Sequence, residues 1–157
     1  CTTGTNTLFI MNDRLDIALA CGADGVHLGQ DDLPLQAARV IAPRPFIIGI
    51  SVGTVDEAIQ AEREGADYVA VGPVFSTGSK SDAGPGLGLQ RVNEIKRAVF
   101  IPVIGIGGIH TDNAGAVIAA GADGIAVISA VVSQADITQA AQQIRQVIRQ
   151  EKSCLHG

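Results

Sequence analysis

The chain has 157 residues, 46% of them hydrophobic and only 3% aromatic, with 19 Gly, no Trp and a net charge of −5. That length holds one domain with a sizeable core and not two ordinary ones, and the aliphatic, Gly-rich composition argues against an aromatic-driven β-sandwich. Scattered Lys and Arg in an acidic chain argue against a nucleic-acid surface, no apolar run approaches the ~20 residues of a membrane span, and three cysteines without metal spacing favour a reduced, cytoplasmic setting.

The opening residues, 1–6, read as a loop just ahead of a strand; a chain that starts with Cys1 rather than Met raises the expectation of further sequence upstream. Short aliphatic or β-branched runs at 8–11, 25–27, 46–50, 68–71, 103–106 and 124–128 predict strands. Between and after them, 14–20, 35–41, 55–64, 89–98, 112–120 and 136–151 predict helices, the last with helical spacing of Ile137, Ala140, Ala141, Ile144, Val147 and Ile148. Apolar strands in strict alternation with helices predict a parallel sheet with right-handed crossovers. A repeated Gly-Ala-Asp at residues 22–24, 65–67 and 121–123 closes a helix and opens a strand each time, with Gly as helix terminator and Asp as a short turn residue.

The other ends of the strands run into polar or glycine-rich sequence: Asn12-Asp13, Leu28-Gly29-Gln30-Asp31-Asp32, Ser51, Gly72-Pro73 onward, Gly105-Ile106-Gly107-Gly108 and Ile128-Ser129. A closed parallel barrel concentrates its chemistry at that rim. Six βα units therefore predict a single α/β domain over residues 1–157, a (β/α)8 TIM barrel truncated at its N-terminus by its first two units.

Asp13 and Asp32 follow neighbouring strands, so a barrel brings both carboxylates to one rim. Carboxylates ~4 Å apart repel by about 4 kcal/mol at an intermediate dielectric, so a hard cation such as Mg²⁺ is a natural third partner. Asp13 also reads as a cap of the helix starting at Arg14 and Asp32 as a cap of the one near Leu35, and Asp31 competes with Asp32. The glycines at 105–108 and the Ile128-Ser129 step suit a phosphate held by backbone N–H groups, although glycine also serves simple tight turns. Segment 72–86 carries Ser76, Thr77, Ser79 and Lys80; of the basic residues only Arg14 and Lys80 sit at predicted strand carboxyl ends, and Lys80 is the candidate cation for a leaving diphosphate or a solvated loop lysine. His27, His110 and His156 show no nucleophile–base arrangement and read as structural or solvent-facing, and Cys21 reads as a small buried residue.

Asn12-Asp13-Arg14 with Asp16-Ile17-Ala18, then Gly22 through Asp32, Gly72-Pro73-Val74-Phe75 with Thr77 and Lys80, Ile104 through Ile109, and Ala126 through Ala130 resemble, in this order, the thiamine phosphate synthase family. The resemblance implies a barrel transferase that condenses hydroxymethylpyrimidine diphosphate with thiazole phosphate, giving thiamine phosphate and diphosphate. Carried over by motif, Asp13 and Asp32 bind Mg²⁺. Asn12, Ser51 and Lys80 contact the pyrimidine diphosphate, and Thr77, Gly78, Ser79, Gly107, Ile128 and Ser129 line the thiazole phosphate site. In that family the C–O bond to diphosphate breaks first and the thiazole nitrogen captures the pyrimidine cation, so Mg²⁺ and Lys80 serve the leaving group and no protein nucleophile is needed.

The sequence departs from the family at three points. Ser76 stands where Pro is usual, Ser79 where Thr is usual, and Gly53 where His is common. The family's basic Gln-x-Arg-x-Lys segment is expected upstream of Cys1, which puts the activity of the chain as given in question. Rival readings are a metal-free thiazole tautomerase-like paralogue, a phosphate-binding fragment without turnover, and another phosphate-binding barrel of sugar or tryptophan metabolism. Partners implied are the two small substrates, no nucleic acid and no membrane; a homo-oligomer is left open.

Overall fold

The computed structural model describes residues 2, 4–76 and 86–155. Its elements run β1 (Ile10–Asn12), α1 (Leu15–Ala20), β2 (Gly25–Leu28), α2 (Leu35–Ile41), β3 (Ile47–Val52), α3 (Val55–Arg63), β4 (Tyr68–Val71), α4 (Gly88–Ala98), β5 (Val103–Ile106), α5 (Thr111–Ala119), β6 (Gly124–Ala126), α6 (Ser129–Val132) and α7 (Ile137–Leu155). The six strands form one parallel sheet in the order β1-β2-β3-β4-β5-β6. Sequential order has no reversal point, so right-handed crossovers put every connecting helix on one face, the winding of a half-barrel rather than of a doubly wound open sheet.

Strand alternation then sorts the side chains. One face carries Val26, Leu28, Ile48, Val69, Val71 and Val103, all fully buried against Ala18, Ala38, Ala58, Val92, Ile95 and Val117 of the helices. Burying each such Val, Leu or Ile contributes roughly 1.5–3 kcal/mol. Ala at half of these helix contacts lets the helices lie close to the sheet. The opposite, concave face presents Asn12, His27, Gly49 and Tyr68 on one register line, with Ser51, Ala70, Ile104 and Gly124 on the next.

The Gly-Ala-Asp repeat does more than turn the chain. Asp24 N–H donates to the Phe9 carbonyl while the Asp24 carboxylate accepts the Phe9 N–H at 2.7 Å. Asp67 grips Ile48 in the same two ways, and Asp123 grips Val103. Each aspartate therefore fastens its own strand to the one before it, joining β1 to β2, β3 to β4 and β5 to β6. Asp67 also accepts from Arg39 Nη2 at 2.6 Å and from Arg44 Nη1, which ties α2 and the loop before β3 to β4.

The elements depart from expectation mainly at their ends. β1 starts at Ile10, leaving Leu8 and Phe9 exposed, and β3 reaches Val52, which puts Ser51 inside a strand. α3 starts where Thr54 and Glu57 form a reciprocal capping box. Cys21 is exposed rather than buried: it is the residue that ends α1, beyond the packed Leu15 and Ala18, and its thiol turns back to the Ala18 carbonyl. Among the described residues no helix is long and apolar enough to cross a membrane.

Candidate active site

All six strands are parallel, so their carboxyl ends share one rim. Asn12 closes β1 and pairs in register with His27 of β2. Asp13 follows in the left-handed region at φ 65°, and its N–H donates to the His27 carbonyl at 2.8 Å. Such a conformation costs a non-glycine residue about 1–2 kcal/mol, and Asp is among the few that adopt it. The N-cap of α1 is Arg14, whose own side chain makes no cap bond, so Asp13 is not the N-cap residue of that helix. Asp32 likewise leaves α2 uncapped; that helix starts after Pro34, and Asp32 Oδ2 accepts the Gly29 N–H at 2.6 Å, holding the turn that follows β2. Neither acid is thus the N-cap residue of the helix that follows it. The two residues stand beyond the ends of adjacent, hydrogen-bonded strands.

Arg14 is committed elsewhere. Its guanidinium forms a two-pronged pair with Asp16 at 2.6 and 2.9 Å and holds that carboxyl down to about 2. Among the described residues no three His, Cys, Asp or Glu side chains gather as a closed metal cage. Mg²⁺ does not require one, since it usually takes one or two carboxylates and completes its shell with water and substrate phosphates. Asp13 and Asp32 fit that donor set.

Ser51 lies in β3 facing the concave side. Its Oγ is 2.9 Å from His27 Nε2, and its carbonyl accepts from Gln30 Nε2 at 2.6 Å. His27 Nδ1 is 3.0 Å from the Tyr68 hydroxyl, with the two rings stacked at a centroid distance of 5.5 Å. Neither His27 nor Tyr68 was singled out as functional from the sequence. The signal that could have found them is register: His27, Gly49 and Tyr68 align only once the strands are paired.

Beyond β4 the chain leans on the end of β5. Val74 N–H donates to the Ile106 carbonyl and Phe75 N–H to that of Gly107. Gly107 and Gly108 have φ of 95° and 63°, and a Cβ on either would come within 2.7 Å of Pro73 or Ser76 backbone. These glycines are therefore required by close packing as well as by conformation. Among the described residues no backbone hydrogen bond uses the N–H of Gly107 or Gly108. Ser129 opens the short α6 immediately after Ile128, and both are exposed at the same rim. The rim thus brings Asn12, Asp13, Asp32, Ser51, Gly107, Ile128 and Ser129 onto one edge; Thr77, Gly78, Ser79 and Lys80 lie outside the described residues.

A sequentially wound parallel sheet with Asp13, Asp32 and the Gly107–Gly108 turn beyond its carboxyl ends defines an α/β protein of the TIM-like kind. The family described as thiamine monophosphate synthase matches residues 1–131, and the chain belongs to it. It is 62% identical over 151 residues to the thiamine-phosphate synthase of Methanoregula boonei, covering 96% of this chain and 70% of that protein. To the thiamine-phosphate synthase of Methanospirillum hungatei it is 66% identical over 134 residues, covering 85% of this chain and 65% of that protein. The solved thiamine phosphate pyrophosphorylase from Pyrococcus furiosus superposes with a TM-score of 0.88 at 45% identity, over 96% of this chain and 71% of that one. The chain therefore spans between 65% and 71% of the length of these three relatives. The activity read from the sequence, that of a synthase and hence a transferase, is the one carried by the names of the Methanoregula and Methanospirillum proteins.

Proposed function

We propose that the protein acts as a thiamine phosphate synthase, condensing hydroxymethylpyrimidine diphosphate with thiazole phosphate and releasing diphosphate. The observation that carries this is the Asp13/Asp32 pair: two acids following adjacent parallel strands, one of them held in a strained left-handed conformation. Strain at a polar residue of a rim is a common mark of a functional site. Asp13 and Asp32 hold Mg²⁺, which, when bound, supplies the positive charge that a departing diphosphate needs. Asn12 and Ser51 orient the pyrimidine diphosphate, with Lys80 as the further cation for the leaving group. Gly107 offers a backbone N–H, with Ile128 and Ser129 opposite and Thr77, Gly78 and Ser79 completing the wall, to the phosphate of the thiazole.

Cleavage of the C–O bond leaves a pyrimidine-stabilised cation, and the thiazole nitrogen attacks it. The rim supplies electrostatic stabilisation and positioning rather than a nucleophile. The sheet is read as part of the wall of a (β/α)8 barrel, whose ring takes two further βα units to close. A cytoplasmic setting belongs to the same proposal.

The test is thiamine phosphate formation by the full-length protein. Asp13→Asn and Asp32→Asn each abolish Mg²⁺-dependent product formation; unchanged turnover in both removes the metal assignment.

A further inference from the structure

The concave face carries a line of side chains for which the proposed function has no role. His27 on β2, Gly49 on β3 and Tyr68 on β4 occupy one register line. Gly49 is the gap in that line: a Cβ there would sit 2.0 Å from the Tyr68 ring. The missing side chain lets Tyr68 lie across β3 and reach His27, two strands away. The rings stack at 5.5 Å with 24° between their planes. The Tyr68 hydroxyl is 3.0 Å from His27 Nδ1, and Ser51 Oγ is 2.9 Å from Nε2.

We infer that His27 is a positioning residue, held by Tyr68 as the Nε2–H tautomer, which donates to Ser51 Oγ and so makes the Ser51 hydroxyl a hydrogen-bond donor toward an anionic oxygen of the ligand. The inference rests on the reading of Ser51 as a contact to the diphosphate substrate.

Taken as neutral, the His27 imidazole has one donor and one acceptor nitrogen, so the two hydroxyls flanking it take opposite parts. A phenol is the more acidic hydroxyl and the better donor; the alkyl oxygen of serine is the better acceptor. Tyr68 therefore donates to Nδ1, and Nε2–H donates to Ser51. Burial pushes the Tyr68 phenol up to about 12, which keeps its proton in place throughout the neutral range. In the reversed arrangement Ser51 would spend its proton on His27 and present only lone pairs to a diphosphate, which itself only accepts. The Gln30 amide on the Ser51 carbonyl fixes the main chain at 2.6 Å. His27 then sets the direction of the hydroxyl.

Nitrogen-15 spectra of histidine in the full chain read the tautomer directly, with His27 assigned by its loss in His27→Gln. The expected result is Nε2–H in the native chain and a tautomer mixture in Tyr68→Phe, which keeps the ring and removes the hydroxyl. In the kinetic arm, Tyr68→Phe raises KM for the pyrimidine diphosphate roughly three- to tenfold, as befits one neutral hydrogen bond, and leaves KM for thiazole phosphate unchanged. Added to Ser51→Ala, it costs nothing more. An Nδ1–H tautomer in the native chain overturns the inference, and so does a Tyr68→Phe defect that persists undiminished beside Ser51→Ala. Were the synthase reading wrong, no variant would turn over and the spectrum alone would decide the relay. Ser51→Ala with unaltered KM in an active enzyme would sink the donor role and leave the synthase assignment standing.

Discussion

Three copies of Gly-Ala-Asp offer one substitution at three sites with three different costs. Asp67→Ala removes the acceptor for the N–H of Ile48, a residue with no solvent exposure, and an unsatisfied donor of that kind costs about 1–3 kcal/mol. It also strips the counter-charge from Arg39, whose side chain is 17% exposed; Arg39 keeps its bonds to the carbonyls of Ala42, Phe46 and Gly65, so the loss falls below the roughly 3–5 kcal/mol of a fully buried pair. Together these give about 3–4 kcal/mol. Asp123→Ala orphans the equally buried Val103 N–H but breaks only a partly exposed bond to Lys96, which sums to about 2 kcal/mol. Asp24→Ala frees the N–H of Phe9, a residue 39% exposed, where water takes over, for less than about 1 kcal/mol. Urea titration followed by far-ultraviolet circular dichroism measures all three. Equal losses, or Asp24 as the most costly site, would refute the view that the burial of the gripped N–H sets the cost.

Asp13→Gly relieves the left-handed backbone at φ 65° and changes stability by between zero and a gain of about 1 kcal/mol, while product formation is lost; the same urea titration and the synthase assay read the two opposite signs. Gly49→Ala drives a Cβ into the Tyr68 ring and destabilises by about 1–3 kcal/mol, with loss of the His27–Tyr68 stack visible in near-ultraviolet dichroism. Tyr68 is the only tyrosine and the chain has no Trp, so tyrosinate absorbance titrates a single group, with its midpoint near about 12 rather than 10. Because the folded form keeps this proton longer than the unfolded chain, stability is whole below about 10 and falls as pH rises from there toward 12, a decline that Tyr68→Phe flattens.

The winding was legible because each strand is a short aliphatic run closed by its own punctuation, and local signals of that kind survive in one dimension. Gly22, Gly65 and Gly121 all take positive φ at helix ends, as their position predicts. Two other classes of information were not legible. The first is pairing: that Asp67 reaches back to Ile48, or Tyr68 across Gly49 to His27, depends on strand register and on a side chain left out, which leaves no trace at either partner. The second is direction within a loop. Asp13 and Asp32 read as caps or as ligands, and only the chain's actual path shows Arg14 and Pro34 in the N-cap positions. Glycines 107 and 108 look like an anion cradle in sequence; their contacts with Pro73 and Ser76 show that packing alone already demands them.

The aspartate fastenings fall on alternate seams, between β1 and β2, β3 and β4, and β5 and β6. The sheet is thus assembled from three two-strand tiles, and a genetic crossover in α2 or α4 passes between tiles, whereas one in α1, α3 or α5 severs a fastening. With Arg39 kept on the same side of the cut as Asp67, exchange of whole tiles between kindred barrels would carry each aspartate along with the strand it grips.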